Sequence, residues 1–586
     1  MNYNYTKRIF ALTVILTTAF TIPSAGKLPP IEQILPPETV LVINAEDFSE
    51  LNEQFKKTNI YKLYQDPALK KFLRNVAGLW QKRLTEIDSQ YSDLLKDPEM
   101  LPQGRLALAM TLDHSSSGSG QPPVIVIAQW GRTSEKIQKA IEKHIQNTSG
   151  EDNISIKNWD YHNTGITTVT KKYPSRKIPD YSRYNPEEPN NTPMKEFQPE
   201  PLVMHYCFAE DTLLWSLDKE LLKFTLAHTK GASGSCLSDT SDYKPAMNAV
   251  GPHHDIDIYF NFRYIVNSII SKDKSGRASA MATNLGLNNI SSAACTINLA
   301  RKPNSSYSGK ALIKIDGLKR GLPKMLDIKT RPCRIPGFIS SRAYSVIFLN
   351  MDLKETYTQL YTVLSSFSPQ YAAALNTPLI PAGPGGQPGL TLKKDIINHM
   401  GDQLIIGQEI KKPYSKEQMP YRTIFSAAAE NPRELEKSLS RLHSEILARG
   451  RKDRKRTFLG HTIYKVDLPG FLPGLAAPAG TQAMLSPAAQ EKPAEPPTLA
   501  FTVTETHLVA GTEAAVEQAV RNLKDTTGTS LESREWYSKC RAHMPASSGL
   551  AALQNNTKSM ELFWWMIKKT GKDSSALPYN PAMNIL

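Results

Sequence analysis

Cysteine and long apolar runs are scarce in this chain of 586 residues, and each scarcity excludes a class of protein. The five cysteines include no C-x-x-C pair, so the sequence predicts neither a zinc ribbon nor a thioredoxin-like redox site. Cys207 and Cys295 lie in apolar, strand-like runs, where we expect buried thiols. An odd count allows at most two disulfides, which are therefore not expected to be the scaffold of the fold.

Linear catalytic motifs are absent as well. The sequence has no G-x-S-x-G elbow, no G-x-x-x-x-G-K-S/T loop, no H-E-x-x-H helix and no G-x-G-x-x-G turn after a strand. The common serine hydrolases, P-loop nucleotidases, zinc proteases and dinucleotide-dependent enzymes are thus not predicted. A hydrolase without a linear motif stays open, because catalytic triads are defined by geometry. No catalytic residue is assigned, and no cofactor is expected.

The first 26 residues have the pattern of an export signal. Lys7 and Arg8 precede the apolar stretch 9–22, and small residues follow at 23–26. We predict cleavage after Ala25 or Gly26, and no cysteine is present there to carry a lipid. After residue 26 no apolar run reaches the roughly 20 residues that a spanning helix needs. The mature protein is expected to be exported and to have no transmembrane span.

Positive charge exceeds negative charge, with a formal net charge of +14. A basic exported protein is attracted to anionic partners. The sequence predicts either a solvated turn or a contact with an anionic envelope component at the densest basic run. Nucleic acid is not expected as a partner, because the protein is predicted to be exported and the run has no interleaved aromatic residues. The basic residues of this run are Arg449, Arg451, Lys452, Arg454, Lys455 and Arg456.

The order of predicted elements in residues 36–270 recurs in residues 335–570, which indicates a tandem duplication. In the helix that follows the third strand, Ile137 and Ile141 match Leu435 and Leu439 at a constant offset of 298 positions. A single hydrophobic core stops growing at roughly 250–300 residues. We therefore predict two domains after the signal peptide, 27–334 and 335–586.

Each repeat is predicted to begin as strand, helix, strand, strand, helix, strand, which is the order of a ferredoxin-like βαββαβ unit. Period-two alternation continues in further strands. The predicted fold class is α+β, with a mostly antiparallel sheet and helices packed on one face in each repeat. Asp47 and Asp352 each precede a Glu by three residues, as helix N-caps do.

Proline-rich segments interrupt both repeats at the same step. They lie at 178–201 and 470–497, and a third segment at 372–389 belongs to the second repeat alone. Such compositions predict mobile surface loops. A hairpin predicted within 290–315 has no counterpart after residue 567, so the second domain is expected to be shorter or truncated at its C-terminus, with an exposed sheet edge.

The densest group of metal-ligand residue types is His253-His254-Asp255-x-Asp257. Alternation along a strand would place His253, Asp255 and Asp257 on one face, which suits a divalent metal. The matching stretch of the second repeat, near 548–553, has no ligand residue. We therefore expect the polar start of a strand here and no metal site.

The segment 35–43, and Leu285-Gly286-Leu287-Asn288-Asn289-Ile290 before a strand, resemble exported bacterial proteins of a domain-of-unknown-function family. This resemblance implies a Gram-negative envelope location, periplasmic or at the cell surface, and supplies no site residues. The leading hypothesis is a non-enzymatic binding or scaffolding protein with an anionic envelope component or a protein as partner. Two alternatives stay open: an envelope-acting hydrolase with its site between the repeats, and a carrier of lipids or other hydrophobic ligands.

Overall fold

The computed structural model describes residues 28–58, 61, 101–112, 123–148, 153–179, 194–251, 254–299, 307–384, 386–414, 420–448, 451–466, 499–524 and 530–570. This part of the chain is α+β, with fifteen helices and two large antiparallel sheets. It divides into two compact units, the first made of residues up to 279 with 288–317, and the second of 280–287 with 318 onward. The predicted signal peptide and the proline-rich segment 470–497 lie outside the described residues.

The first unit is built on a ten-stranded sheet. Its strands are β1 (Thr39–Ala45), β2 (Leu106–Thr111), β3 (Val124–Gln129), β4 (Ile154–Tyr161), β5 (Thr164–Lys171), β8 (Leu202–Ala209), β9 (Thr212–Ser216), β10 (Ile256–Phe260), β11 (Ile290–Leu299) and β12 (Tyr307–Ile315), while β6 (Arg176–Pro179) and β7 (Met194–Phe197) form a separate hairpin. The spatial order is β12-β11-β10-β1-β2-β3-β9-β8-β5-β4. The hairpin predicted within 290–315 is confirmed as β11 and β12.

Helices cover both faces of this sheet. They are α1 (Ile31–Ile34), α2 (Phe48–Lys57), α3 (Ser134–Thr148), α4 (Lys219–Thr229), α5 (Tyr243–Val250), α6 (Phe262–Lys272) and α7 (Arg277–Leu285), the last of which continues into the second unit. Leu221 of α4 packs in the same core cluster as Leu214, whereas Ile137 of α3 packs in another with Leu213. Successive strand residues point to opposite faces. The expectation of helices on one face is therefore wrong, because strands such as β3 are apolar on both faces.

The second unit is built on an eight-stranded sheet. Its strands are β14 (Ala343–Asn350), β15 (Met400–Ile410), β16 (Tyr421–Ala429), β17 (Lys455–Phe458), β18 (His461–Val466), β19 (Leu499–Val503), β20 (His507–Thr512) and β22 (Leu550–Gln554), while β13 (Arg331–Pro332) and β21 (Ser547–Ser548) pair separately. The spatial order is β17-β18-β19-β20-β16-β15-β14-β22. Among the described residues, β22 pairs with β14 alone.

Helices pack on both faces of the second sheet too. They are α8 (Gly321–Met325), α9 (Leu353–Phe367), α10 (Pro369–Asn376), α11 (Leu392–Asp395), α12 (Pro432–Leu442), α13 (Glu513–Lys524), α14 (Glu535–Ala542) and α15 (Asn556–Thr570). Leu435 of α12 shares a core cluster with the inner residues of β19, and Ala519 of α13 shares another with Val509. None of the helices in the described ranges is both long and apolar enough to cross a membrane.

Two further predictions differ from the structure. In a ferredoxin-like split unit another strand separates the first two strands, but β1 and β2 are direct antiparallel neighbours. Element order does not determine pairing, because pairing also depends on register and chain direction. The described parts of two proline-rich segments are less irregular than predicted. β6 and β7 pair at the two ends of 178–201, of which 180–193 lie outside the described residues, and 372–389 begins within α10 and then returns through an antiparallel bridge from Ile380 to Leu390.

The two predicted N-caps are confirmed. Asp47 accepts a hydrogen bond from the Glu50 backbone N–H at 2.8 Å, and Asp352 accepts one from the Glu355 N–H at 3.0 Å. Each cap satisfies a backbone donor at the start of its helix, where the four N-terminal N–H groups have no intrahelical partner. The bond from Glu355 is the main reason why the pKa of Asp352 is lowered.

We predict that Asp47→Ala and Asp352→Ala each lower the free energy of unfolding by about 1 kcal/mol, because each leaves an N-terminal N–H without its acceptor. Asp47→Asn and Asp352→Asn are the matched controls, since asparagine keeps a cap oxygen and should retain most of the stability. Urea-induced unfolding followed by circular dichroism measures both effects. An asparagine variant as unstable as its alanine counterpart would show that the cap oxygen is not the stabilising group.

Candidate functional site

A polar cleft of about 360 Å³ lies at one end of the second sheet. It is found where β15 begins, β16 ends and β20 begins, ends that meet because the three strands are antiparallel neighbours. A recess beside Phe338, Gly407 and Asn522 measures only about 20 Å³, which is close to the space of a single water molecule. The residues that line the larger cleft are Arg331, Pro332, Arg334, Gly401, Asp402, Gln403, Ala428, Ala429, Glu430 and His507.

The floor of the cleft is made by a local irregularity in the sheet. The register between β15 and β16 shifts between Met400 and Leu404, as at a β-bulge. Bulges disrupt pairing locally and redirect side chains. On the next strand Ala428 lies directly opposite His507. A small alanine beside a large histidine leaves space at this point.

The two carboxylates of the cleft are both paired with cations. Asp402, whose side chain is only 12% exposed, accepts from the Arg331 guanidinium at 2.6 Å and lies 3.4 Å from Lys329 Nζ. Lys329 Nζ also donates to Asp352 at 2.9 Å. Bonds to Asp352 and then Asp402 raise the pKa of Lys329. These contacts compensate the negative charge of Asp402 inside the second unit.

The Glu430 carboxylate has its own cation, because Lys354 Nζ donates to it at 2.7 Å. Arg334, in contrast, is exposed and has no ion pair within the described part of the chain. Arg334 thus lines the cleft with no carboxylate of the described residues within ion-pair distance. A guanidinium presents a planar fork of donors that fits a carboxylate or a phosphate.

His507 is the titratable ring of the cleft. Its Nδ1 lies 2.8 Å from Thr506 Oγ1, and its ring packs edge-on against Phe338 with centroids 5.1 Å apart. Nε2 is buried and has no hydrogen-bond partner in the described part of the protein. Burial lowers the pKa of His507, so the ring is neutral near pH 7. When Thr506 donates to Nδ1, Nε2 carries the hydrogen and is a donor.

The described Asp and His side chains near Asp255, considered above as metal ligands, bond to other groups of the first unit. Asp255 is buried and accepts from the Leu299 backbone N–H at 2.6 Å, while Asp257 pairs with His254 Nδ1 at 2.8 Å. His253 lies outside the described residues. Within the residues that the structure covers, no group of three His, Cys, Asp or Glu side chains is arranged to hold a metal ion.

The residues of the basic run have different environments in the structure. Arg456 donates to Glu513 at 3.1 Å and also pairs with Glu517, and Lys465 joins the same Glu513 at 2.8 Å. Arg456 is thus part of an ion-pair cluster that links β17, β18 and α13. Of the others, Arg451 and Lys455 are exposed, Arg454 is half-buried and 3.9 Å from Asp453, Lys452 lies in a 3₁₀ turn, and Arg449 is outside the described residues.

Sequence reasoning missed every residue of the cleft. A usable signal was present, because Gly401-Asp402-Gln403 lies at the start of the apolar segment that forms β15 and Thr506-His507 at the start of the one that forms β20. Polar residues at the ends of neighbouring strands meet at one sheet edge. Without the strand order, however, these two segments could not be recognised as neighbours.

Comparisons of the chain with protein-family models, with curated protein sequences and with solved structures find no match. The inference of function therefore starts from the geometry of the cleft and from the sequence patterns described above.

We predict that the stability of the second unit falls as the pH is lowered below about 6.5, the pKa of histidine in an unfolded chain. The pKa of His507 is lower in the folded state, so the unfolded state takes up the proton first and is favoured as pH falls through the folded value. His507→Gln should flatten this dependence. Urea midpoints between pH 7.5 and 5 measure it, and the buried His205, whose pKa is also lowered by burial, retains its own contribution in both proteins.

We also predict that Arg456→Gln lowers the free energy of unfolding by about 0.5–1 kcal/mol, because it removes a partly exposed cation from two carboxylates. Lys455→Gln, which makes the same charge change on an exposed side chain, should have almost no effect. Urea unfolding at low and high salt compares the two variants. Equal losses of stability would contradict a structural role that is specific to Arg456.

Proposed function

We propose that the protein is an exported, non-enzymatic binding or scaffolding protein of a bacterial cell envelope, formed by duplication of one α+β unit. The observation that carries the proposal is that eight strands have the same order in the two sheets while polar residues differ at matched positions, and the second unit has a cleft at one of these positions. A scaffold that keeps its core and changes its polar positions is suited to binding. The export pattern in residues 1–26 and the family resemblance support the envelope location.

The strand orders support duplication. The run β10-β1-β2-β3-β9-β8-β5-β4 of the first sheet has the same chain order of elements as β22-β14-β15-β16-β20-β19-β18-β17 of the second. The registers agree as well, because residues matched by sequence form corresponding rows across the strands. The first row is Leu106, Ala128, Leu213 and Phe208, and the second is Leu404, Ala427, Leu508 and Val503.

The matched rows locate the counterpart of the cleft in the first unit. There, Gln129 lies opposite Thr212, as Ala428 lies opposite His507. The Gln129 amide donates to Asp211 at 3.2 Å and lies so close to Gly104 that a side chain at position 104 would collide with it. Gln129 thus fills in the first unit the place that remains open beside Ala428 in the second.

A second matched pair also differs. In the first unit the buried Arg105 donates from Nε to Glu46 at 3.0 Å. In the second unit the corresponding contact is a neutral hydrogen bond of 3.0 Å, from Gln403 Nε2 to Asn350 Oδ1. The scaffold therefore accepts different polar groups at the same sites, which supports a change of binding properties between the two units.

The alternatives receive less support. A hydrolase using His507 would need a nucleophile and an orienting group, and the group nearest to Nδ1 is the adjacent Thr506 hydroxyl. A lipid carrier needs a large apolar cavity, whereas this cleft measures only about 360 Å³ and six of its ten lining residues are charged or polar. The exposed Arg451 and Lys455 favour an anionic component as a partner over a neutral one.

Native mass spectrometry of the mature protein, purified gently from its source envelope, tests the proposal. We expect a retained small molecule or a protein partner that is released on denaturation. We also expect no turnover when the protein is incubated with envelope glycans or peptides. Hydrolysis that His507→Gln or Thr506→Ala abolishes, and that the exposed control Arg433→Gln retains, would replace the proposal with the hydrolase alternative.

A further inference from the structure

One cation of the cleft in the second unit, Arg334, has no ion pair with any of the described residues. The immediate ionic groups of the cleft are the cations Lys329, Arg331, Arg334 and Lys354 and the carboxylates Asp352, Asp402 and Glu430. Asp402 pairs with Arg331 and Lys329, and Asp352 also pairs with Lys329. Glu430 pairs with Lys354. Among these cations, Arg334 alone has no carboxylate partner in the described part of the chain. One additional negative group would complete the balance.

We propose that this cleft binds an anionic oxygen group, a carboxylate or a phosphate, between the Arg334 guanidinium and Nε2 of His507. This inference deepens the proposed function and rests on it, since it names the ligand class of the binding site in the second unit. Both side chains line the same cleft. A charged guanidinium and a neutral imidazole N–H are complementary donors for such an oxygen group.

The buried Nε2 of His507 supports a ligand at this position. A buried polar atom without a partner destabilises the structure that contains it, and Nε2 has no partner among the described residues. The side-chain amide of Gln403, which also lines the cleft, directs one of its two N–H donors to Asn350. Nε2 is buried in the unliganded cleft, so an oxygen acceptor that satisfied it together with Arg334 would turn the His507 ring toward the cleft.

The first unit supplies its own carboxylate at the matching place. Asp211 there accepts from the Gln129 amide, and the residue matched with Asp211 in the second unit is the neutral Thr506. The carboxylate that the second unit has gained, Asp402, is taken up by Arg331 and Lys329. The first unit thus has the acceptor Asp211 at this place, whereas the second unit has an open cleft lined by Arg334.

The size of the cleft limits the ligand. About 360 Å³ is near the lower end of the range for small-molecule sites, which is roughly 300–1,000 Å³. Most of the accessible lining of the cleft is apolar, so the donors lie beside apolar surface that includes Pro332, Ala428 and Ala429. A small anionic molecule, or the anionic end of a peptide, fits these dimensions.

Isothermal titration calorimetry of the full mature chain at pH 7 tests the inference. The probes are inorganic phosphate, the carboxylate N-acetyl-Ala-Ala and its neutral C-terminal amide. We expect binding of at least one anionic probe and none of the amide. Arg334→Gln should weaken that binding tenfold or more, as the loss of a charge-assisted hydrogen bond does. Whichever anion binds more tightly identifies the natural chemistry as carboxylate or phosphate.

Two further variants make the test specific to the cleft. Ala428→Gln places in the second unit the side chain that fills the matching position of the first, and should abolish binding while the fold is kept. Arg433→Gln removes the same charge from an exposed helical position outside the cleft and should bind like the unaltered protein.

Equal binding by all variants, or binding of the amide as tightly as the carboxylate, would overturn the inference. So would the absence of binding to both anions. If both anions fail but native mass spectrometry still finds a retained neutral ligand or protein partner, the proposed function survives and only the anionic ligand class fails. If nothing is retained and no anion binds, both fail.

Discussion

The pairing of the first strand of each sheet with a strand more than 200 residues later holds each unit together. Leu41 of β1 pairs with Phe260 of β10, and Val346 of β14 pairs with Leu553 of β22. The first strand therefore lies inside its sheet, with β2 or β15 on its other side. Both faces are then covered by helices, so each core is complete only after this long-range closure. Closing a long loop costs entropy that rises only slowly with length, so burial on two faces can offset it.

Buried charges in this scaffold are retained where several partners compensate them. In the first unit Asp242 is buried, and burial alone would raise its pKa, but Arg263 at 2.8 Å and Lys314 at 3.0 Å bring the pKa below its ordinary value. The carboxylate stays ionised and links α5, α6 and β12. Breaking one such pair would leave a buried charge without compensation, which is far more costly than losing an exposed pair.

The cleft of the second unit can be compared with Asp242 by asking which of its polar groups have partners. Asp402 resembles Asp242 in having two cationic partners, whereas Arg334 and Nε2 of His507 are left without protein partners among the described residues. A polar group that a fold leaves unsatisfied is informative when its neighbours are well satisfied. The proposed duplication sharpens this contrast, because the first unit fills the matching place with Gln129 and its acceptor Asp211. In the proposed function, the second unit keeps the scaffold of the first and leaves this place for a ligand.

The sequence by itself determined the local features: the N-caps at Asp47 and Asp352, the hairpin of β11 and β12, and the α+β class. These depend on interactions between residues close in the chain or on a repeating pattern of apolar positions. Only the tertiary structure decided which strands are neighbours, that helices cover both faces, that Arg456 is held by Glu513, and that Asp402 and His507 line one cleft. Those relations join residues far apart in the chain, and their geometry follows from strand order and register, which no local pattern encodes.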